Sequence, residues 1–369
     1  MHKVVISTKD LSSRGGVANY YRLFFNGFKS SQFKLVLHVI GSRSKDYYGR
    51  LNRTEGYLVD FLLDLLKLVV LLIKDRSISI IQVSPSLTKI PLLRDGFIIL
   101  LAKLFRKKVV VFYRGWRDDF LGELKSGKMT KLWYKYFYQK ADANIFLAYK
   151  FPKQLAEAGI KLNGPYITRT IFCMDDLAGI HKSYSDSRVS FIFISRISRN
   201  KGVEEIIHAS HKLVSLEKKF IVNIHGHFVD LEYKSLIYNL IAELGLNDTV
   251  LIRPYIDGGG KYNELSNSDI FLLPSYEEGC PNSVIEAMAS GCFIISSDVG
   301  ALSEIVKDGI NGLIMDEITA KNLEEKMAYA IANIGLVREK GKSNIKYAYD
   351  NFEAESHIKN MENLYRSLV

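Results

Sequence analysis

The sequence predicts an α/β protein built from two doubly wound parallel sheets, and three observations carry that expectation. The chain has 369 residues, enough for about two domains that each bury a core of their own. Short runs rich in Val and Ile alternate with helical patterns at the rhythm of strand–helix–strand units. That rhythm fades after Gly164-Pro165 and restarts near Val189, which puts a hinge over residues 165–187.

Taken in order, the first half shows the strand runs KVVIS, FKLVLHVI, SISIIQV, KKVVVFY and DANIFLA. Between them, residues 17–28, 57–74, 92–105 and 131–140 read as helices. The second half repeats the pattern with VSFIFIS, FIVNIHG, TVLIRPY, IFLLPS and FIISS. The expected domains are residues 1–170 and 171–354, followed by a last helix over residues 355–369. The most apolar stretch, YLVDFLLDLLKLVVLLI, is interrupted on one helical face by Asp60, Asp64 and Lys67. A membrane-spanning helix needs about 20 mostly uncharged residues, so this one reads as a largely buried helix.

Composition narrows the class. An apolar fraction of 47% with only 7 prolines belongs to a folded globular chain, and no segment is low in complexity. The opening MHKVVISTKD alternates like a strand and lacks an apolar signal core, so a cytoplasmic protein is expected. Cys173, Cys280 and Cys292 have no metal-site spacing and leave an odd thiol, in keeping with a reducing compartment. Charge is uneven. Residues 1–180 carry 30 Lys and Arg against 14 Asp and Glu, a net +16, whereas the remainder carries 20 against 26, a net −6. A basic half attracts phosphates, anionic lipid surfaces or nucleic acid through its long-range field.

Ligands collect at the carboxyl ends of strands in such sheets, so chemistry is sought just after the apolar runs. Gly15-Gly16 follows the first run and opens a helix, where backbone N–H groups can approach an anion. The pair is not Gly-x-Gly-x-x-Gly, and no phosphate-binding lysine follows it. After FIFIS come Arg196 and Lys201, five residues apart, with Gly202 leading into a helix. Two cations at a strand end suit a diphosphate, Arg offering a fork and Lys a point charge; a solvated turn is the plain alternative.

The third constellation is PSYEEGCPNSVIEAMASG, residues 274–291, with Glu278 and Glu286 flanking a Gly279-Cys280-Pro281-Asn282 turn. Ser283-x-x-Glu286 has capping-box spacing, so Glu286 could simply close a helix start. By residue type the two glutamates could also form an acid–base pair as in glycoside hydrolysis. No cluster of His, Asp or Cys at metal-ligand spacing accompanies them.

These pieces, in this order, resemble the retaining glycosyltransferases of family 4, whose fold is GT-B, two facing Rossmann-like domains with a cleft between them. The resemblance runs from Gly15-Gly16 to the final helix. The family's Gly-Arg and Lys-Gly steps correspond to Ser195-Arg196 and Lys201-Gly202, and its Glu-x7-Glu element to Glu278 and Glu286. The pattern continues through Asp298-Val-Gly300, Glu304-Ile-Val306 and Asp308-Gly-x-Asn-Gly312. The resemblance implies that Arg196 and Lys201 hold the diphosphate of a nucleotide sugar and stabilise the leaving nucleotide. It implies that Glu286 accepts from the ribose hydroxyls and that Glu278 faces the sugar, with Gly279, Cys280, Pro281 and Asn282 shaping the pocket. Backbone N–H groups at Gly16, Ser283 and Val284 would complete the cradle, and the last helix would pack back toward the first domain.

Two departures stand out. Ser195 replaces the usual glycine, and Arg114, in KKVVVFYRGWRDDF, stands where many relatives carry a histidine near the reacting sugar. A guanidinium cannot serve as a general base, though it can orient a hydroxyl or phosphate. The resemblance implies donor-side chemistry with retention, no metal and no cofactor beyond the nucleotide-diphosphate sugar as co-substrate. A UDP-sugar, carrying a hexose or N-acetylhexosamine, and a lipid-linked or growing polysaccharide acceptor are the expected partners. On one helical face Lys128, Lys131 and Lys135 accompany Trp133, Tyr134, Phe137 and Tyr138, aromatics that could dip into an inner-leaflet surface; a solvated face over core aromatics is the alternative. A nucleic-acid partner is disfavoured by the acidic second half and by the lack of a binding-module signature. A non-catalytic nucleotide-sugar sensor, or another enzyme of the same fold such as an epimerase, stays open.

Overall fold

The computed structural model describes residues 1–13, 15–41, 55–85, 87–185, 188–215 and 219–369. It divides into two compact units, one formed by Met1–Thr170 with Ala354–Val369 and the other by Ile171–Glu353. In the first, β1 (His2–Thr8), α1 (Gly16–Gly27), β2 (Phe33–Val39), α2 (Glu55–Lys74), β3 (Ile78–Val83) and α3 (Lys89–Leu104) alternate strictly. Then come β4 (Lys108–Phe112), α4 (Asp118–Ser126), α5 (Lys128–Tyr138), β5 (Ala143–Phe146), α6 (Lys150–Glu157) and β6 (Pro165–Ile167).

The second unit runs β7 (Val189–Ile194), α7 (Val203–Leu213), β8 (Phe220–His225), α8 (Leu231–Glu243), β9 (Val250–Arg253) and α9 (Gly258–Ser266). It continues with β10 (Ile270–Leu273), α10 (Asn282–Ala289), β11 (Phe293–Ser297), α11 (Leu302–Ile305), β12 (Gly312–Met315), α12 (Ala320–Ala332) and α13 (Ile334–Phe352). Finally α14 (Ala354–Leu368) belongs to the first unit, packing against α1.

Each sheet has six parallel strands, ordered β2-β1-β3-β4-β5-β6 and β12-β11-β10-β7-β8-β9. The strands are continuous apolar runs because both faces are covered by helices. Val4, Val5 and Ile6 of β1, and Phe191, Ile192 and Phe193 of β7, are fully buried. In each sheet the chain leaves its first strand in one direction and later crosses to the other side. That reversal opens a crevice between β1 and β3 in the first unit and between β7 and β10 in the second.

The structure corrects one sequence expectation about the first unit and, on α5, agrees with the reading of a solvated face over core aromatics. The helix expected to be largely buried, α2, instead turns Leu58, Leu62, Leu66 and Ile73 outward, at 62, 55, 58 and 63% exposure. Its interrupting Asp64 points inward, buried, and accepts the Gly41 N–H at 2.9 Å. Buried polar groups must be paired, and that pairing lets Asp64 sit on the inner side with Leu68 and Leu72 while Lys67 faces outward. On α5 the aromatics Tyr134, Phe137 and Tyr138 are buried, the Tyr138 hydroxyl donating to the Leu92 carbonyl at 2.8 Å. The outward residues are Met129, Leu132 and Tyr136.

Candidate active site

The second unit concentrates its chemistry at the carboxyl ends of β7, β8, β10 and β11. After β7 the chain makes a 3-10 turn, Arg199–Lys201, that ends on Gly202 at φ 70°. A side chain there would be strained, and its Cβ would overlap the Pro274 carbonyl oxygen after β10. The close approach is reinforced by Tyr276 N donating to the Asn200 carbonyl at 3.0 Å. The two loops are thereby clamped across the crevice.

Lys201 is carried into that clamp and is 5% exposed. Its ammonium donates at 2.6 Å to Glu278 Oε1 and at 2.9 Å to the Glu277 carbonyl, with Ser275 Oγ at 3.3 Å. Three acceptors satisfy the three ammonium protons, which is what allows a lysine to be buried at all. Arg196, in the same loop, is exposed and its guanidinium has no partner among the described residues. One cation is thus fixed and the other is available to an incoming anion.

Serine at position 195 is tolerated because the tight contact lies on the other strand. A Cβ on Gly226, after β8, would overlap the Ser195 carbonyl oxygen. Beneath the β10 loop, Gly300 at φ 56° plays the same part: its Cβ would overlap the Glu278 carbonyl oxygen, and Ala301 N donates to the Gly279 carbonyl at 2.7 Å. The Asp298-Val-Gly300 element is therefore a backbone support for Glu278 and Gly279. Cys280 is a buried thiol, while Asn282 and Ser283 are partly exposed at the start of α10.

The capping-box reading of Ser283 and Glu286 is corrected. The residue preceding α10 is Pro281, no side chain caps the helix, and Glu286 lies in the helix interior. The early N–H groups of α10 are thereby left without intrahelical acceptors, as at any helix start. Glu286 is buried, and its Oε1 accepts from Lys261 Nζ at 2.7 Å. Lys261 was not singled out in the sequence, since its partner lies 25 residues away and its own setting, a Gly-Gly-Gly-Lys run, reads as a turn. Asp176 and Tyr262 adjoin this pair. Burial pushes the Asp176 carboxyl up, Lys261 opposing and Glu286 adding to the shift. Burial likewise pushes the Tyr262 phenol far up, helped by Glu286 and Asp176. Among the described residues no group of three His, Cys, Asp or Glu gathers as metal ligands would.

The remaining sequence-selected residues belong to the first unit. Gly15, at φ 109°, precedes α1 and is exposed beside Gly16, so the chain turns into the helix on a backbone only glycine adopts comfortably. Arg114 follows β4 and is 8% exposed. Its guanidinium lies 3.8 Å from the centroid of the Tyr20 ring, and its Nη2 donates to Thr170 Oγ1 at 3.3 Å. Nearby, His357 of α14 shares hydrogen bonds of 2.7 Å with the Tyr20 hydroxyl and with Thr168 Oγ1. Burial, and then the Arg114 charge, hold His357 well below the usual histidine range, at about 3. Arg114 therefore sits in a buried network spanning α1, the segment after β6, and α14.

Residues 180–350 match the family model for glycosyl transferases group 1. The chain is 32% identical over 181 residues to the N,N'-diacetylbacillosaminyl-diphospho-undecaprenol alpha-1,3-N-acetylgalactosaminyltransferase of Campylobacter jejuni, covering 47% of this chain and 44% of that one. In other curated relatives the aligned part spans 32–46% of the relative's own length. Among solved structures it is similar to sucrose-phosphate synthase from Thermosynechococcus elongatus, with a TM-score of 0.80 at 17% identity over 100% of this chain and 99% of that one. It is also similar to Anabaena HepE in complex with UDP-glucose, with a TM-score of 0.70 at 13% identity over 98% of this chain and 100% of that one. The two six-stranded parallel sheets are those of the GT-B fold, and the match to the group 1 glycosyl transferase model falls on residues 180–350, within the second unit.

Proposed function

We propose that this chain is a retaining, metal-independent glycosyltransferase of the family 4 type. It moves a hexose or N-acetylhexosamine from a nucleotide-diphosphate sugar, a UDP-sugar in our reading, to a lipid-linked or growing polysaccharide acceptor. The observation that carries this reading is the pairing of two lysines with two glutamates around the β7–β10 crevice, Lys201 and Glu286 buried and Glu278 and Lys261 partly exposed. Such a site offers positive charge to a diphosphate and carboxylate acceptors to sugar hydroxyls.

In this mechanism Arg196 and Lys201 hold the diphosphate and stabilise the leaving nucleotide as the glycosidic C–O bond breaks. The first N–H groups of α10, at Ser283 and Val284, point the positive end of a helix at the same charge. Glu286, steadied by Lys261, accepts from the ribose hydroxyls, and Glu278 accepts from the sugar. The acceptor hydroxyl attacks on the face that the phosphate leaves, and its proton passes to the departing phosphate oxygen, so no protein base is required. The buried setting of Arg114 fits that account, because its position is explained by Tyr20 and Thr170 without a role in proton transfer. The basic first half suits a diphosphate-linked acceptor of the kind named for the Campylobacter relative.

Thermal-shift screening with UDP-, GDP- and ADP-sugars tests donor use, because a ligand bound to the folded state raises its stability. A labelled donor with membrane extract then tests transfer. Stabilisation by one nucleotide class together with label in a lipid or polymer fraction is the expected result. Binding without transfer or hydrolysis for every common donor would favour a sensor instead.

A further inference from the structure

Three helices of the first unit turn apolar side chains outward next to one another. Along α2 the outward stripe is Leu58, Leu62, Leu66, Val70 and Ile73, each at least 40% exposed and recurring at the three- and four-residue spacing of one helical face. Leu93, Phe97 and Leu104 extend it on α3, and Met129, Leu132 and Tyr136 on α5. The stripes adjoin through Phe97, whose ring lies 5.7 Å from Phe61 of α2 and 5.6 Å from Trp133 of α5. Scattered exposed leucines are ordinary, but a set joined across three helices marks an interaction surface.

Charge selects the occupant. Over α2, α3 and α5 there are eight Lys and Arg against four Asp and Glu. Lys89, Arg94 and Lys103 pair with Glu123, Asp95 and Asp142, and Lys67, Lys74, Lys128, Lys131 and Lys135 lie outside the ion pairs among the described residues. The whole of residues 1–180 carries a net +16. An apolar face rimmed by cations suits an anionic bilayer, where buried apolar area and attraction to lipid headgroups add. No helix among the described residues is long and apolar enough to cross a membrane, so the mode is adsorption in the interface plane. At 20 residues α2 offers an edge of about 30 Å for that contact.

We propose that the outward faces of α2, α3 and α5 form a membrane-docking surface for an anionic bilayer. The inference deepens the lipid-linked acceptor reading, on which its purpose rests, but adsorption itself needs no catalysis. The test is flotation of the full chain with phosphatidylcholine vesicles, with and without added phosphatidylglycerol. The wild-type chain should float with the anionic vesicles and remain behind with the neutral ones. A Leu62→Glu, Leu66→Glu double variant should lose about tenfold or more in vesicle affinity. Leu231→Glu, which changes a still more exposed leucine on α8, should float like the wild type. Equal flotation on neutral vesicles, or an undisturbed double variant, overturns the proposal. So does sedimentation showing a dimer that the double variant dissolves while no vesicle binds, since the occupant would then be a second copy. A nucleotide-sugar thermal shift on the same samples separates the two readings. Donor binding without flotation sinks only the docking surface, and flotation without donor binding sinks only the transferase reading.

Discussion

The two switch-point crevices share a topology and differ in what fills them. Around the β7–β10 crevice the second unit holds two part-buried ion pairs, Lys201–Glu278 and Lys261–Glu286, at 2.6 and 2.7 Å. Between β1 and β3 the first unit buries a largely neutral network instead. There the Tyr21 hydroxyl bonds Ser84 and accepts from Gln82 Nε2, while the Tyr365 hydroxyl donates to Gln82 Oε1 at 2.7 Å. Buried charge costs several kcal/mol per ion unless partners compensate it, so a fold keeps it where chemistry needs it. By that measure the second crevice suits the charged donor proposed above, while the charge buried beside the first network is that of Arg114, held over the Tyr20 ring.

The largest expected break in that contrast is Lys201→Ala. Losing the cation should cost on the order of 2–4 kcal/mol of leaving-group stabilisation, roughly 30- to 1,000-fold in turnover. Steady-state rates on the best donor check it, and unchanged turnover would sink the diphosphate assignment.

Acid is the next lever, because it touches the neutral side. Protonating His357 in the fold is opposed, whereas the unfolded chain takes the proton near the ordinary histidine value. The unfolded state therefore binds more protons between about pH 6.5 and pH 3, and stability falls as pH drops through that window. The slope should approach about 1.4 kcal/mol per pH unit below pH 6. His357→Gln should flatten it, as chemical denaturation at several pH values would reveal.

Lys261→Met sharpens the ribose side. Glu286 would lose its steadying cation, and affinity for all nucleotides sharing a ribose should fall by about tenfold, whatever sugar they carry. Calorimetry with UDP and UDP-glucose distinguishes this from a sugar-reading role, which would spare free UDP. The smallest effect is expected from Arg114→Lys. Lysine cannot reproduce the stacking and fork of arginine, so about 1 kcal/mol of stability should go while the chemical step changes little. A large loss of single-turnover rate in a folded Arg114→Lys protein would return this residue to the reacting sugar.

Much of this was legible before any coordinates. Apolar runs such as VSFIFIS marked the strands, because a doubly covered parallel strand has no polar face to break the pattern. Lys201 and Glu278 were expected in one site and do meet, and Gly202 explains how: its close approach to the Pro274 carbonyl brings together two residues 77 positions apart. Lys261 was not, since nothing local distinguishes a lysine that reaches a glutamate on the next helix. The α2 helix misled for a related reason. Periodicity shows that a helix has two faces but not which one meets water, and Asp64 found its partner at Gly41, on another element. The short strand β6, of 3 residues, carries too few positions for any period to appear.

The return of α14 to the first unit has a consequence for synthesis. Ile171–Glu353 is a continuous segment whose ends are joined where Phe172 N donates to the Phe352 carbonyl at 3.2 Å. The first unit is split around it, and the Tyr20, Thr168 and Tyr365 hydroxyl bonds wait for α14. On a ribosome the inserted unit can thus finish folding while the one begun earlier is still missing its last helix, inverting the usual N-terminal-first order. Late truncations should accordingly damage the beginning of the protein rather than its end.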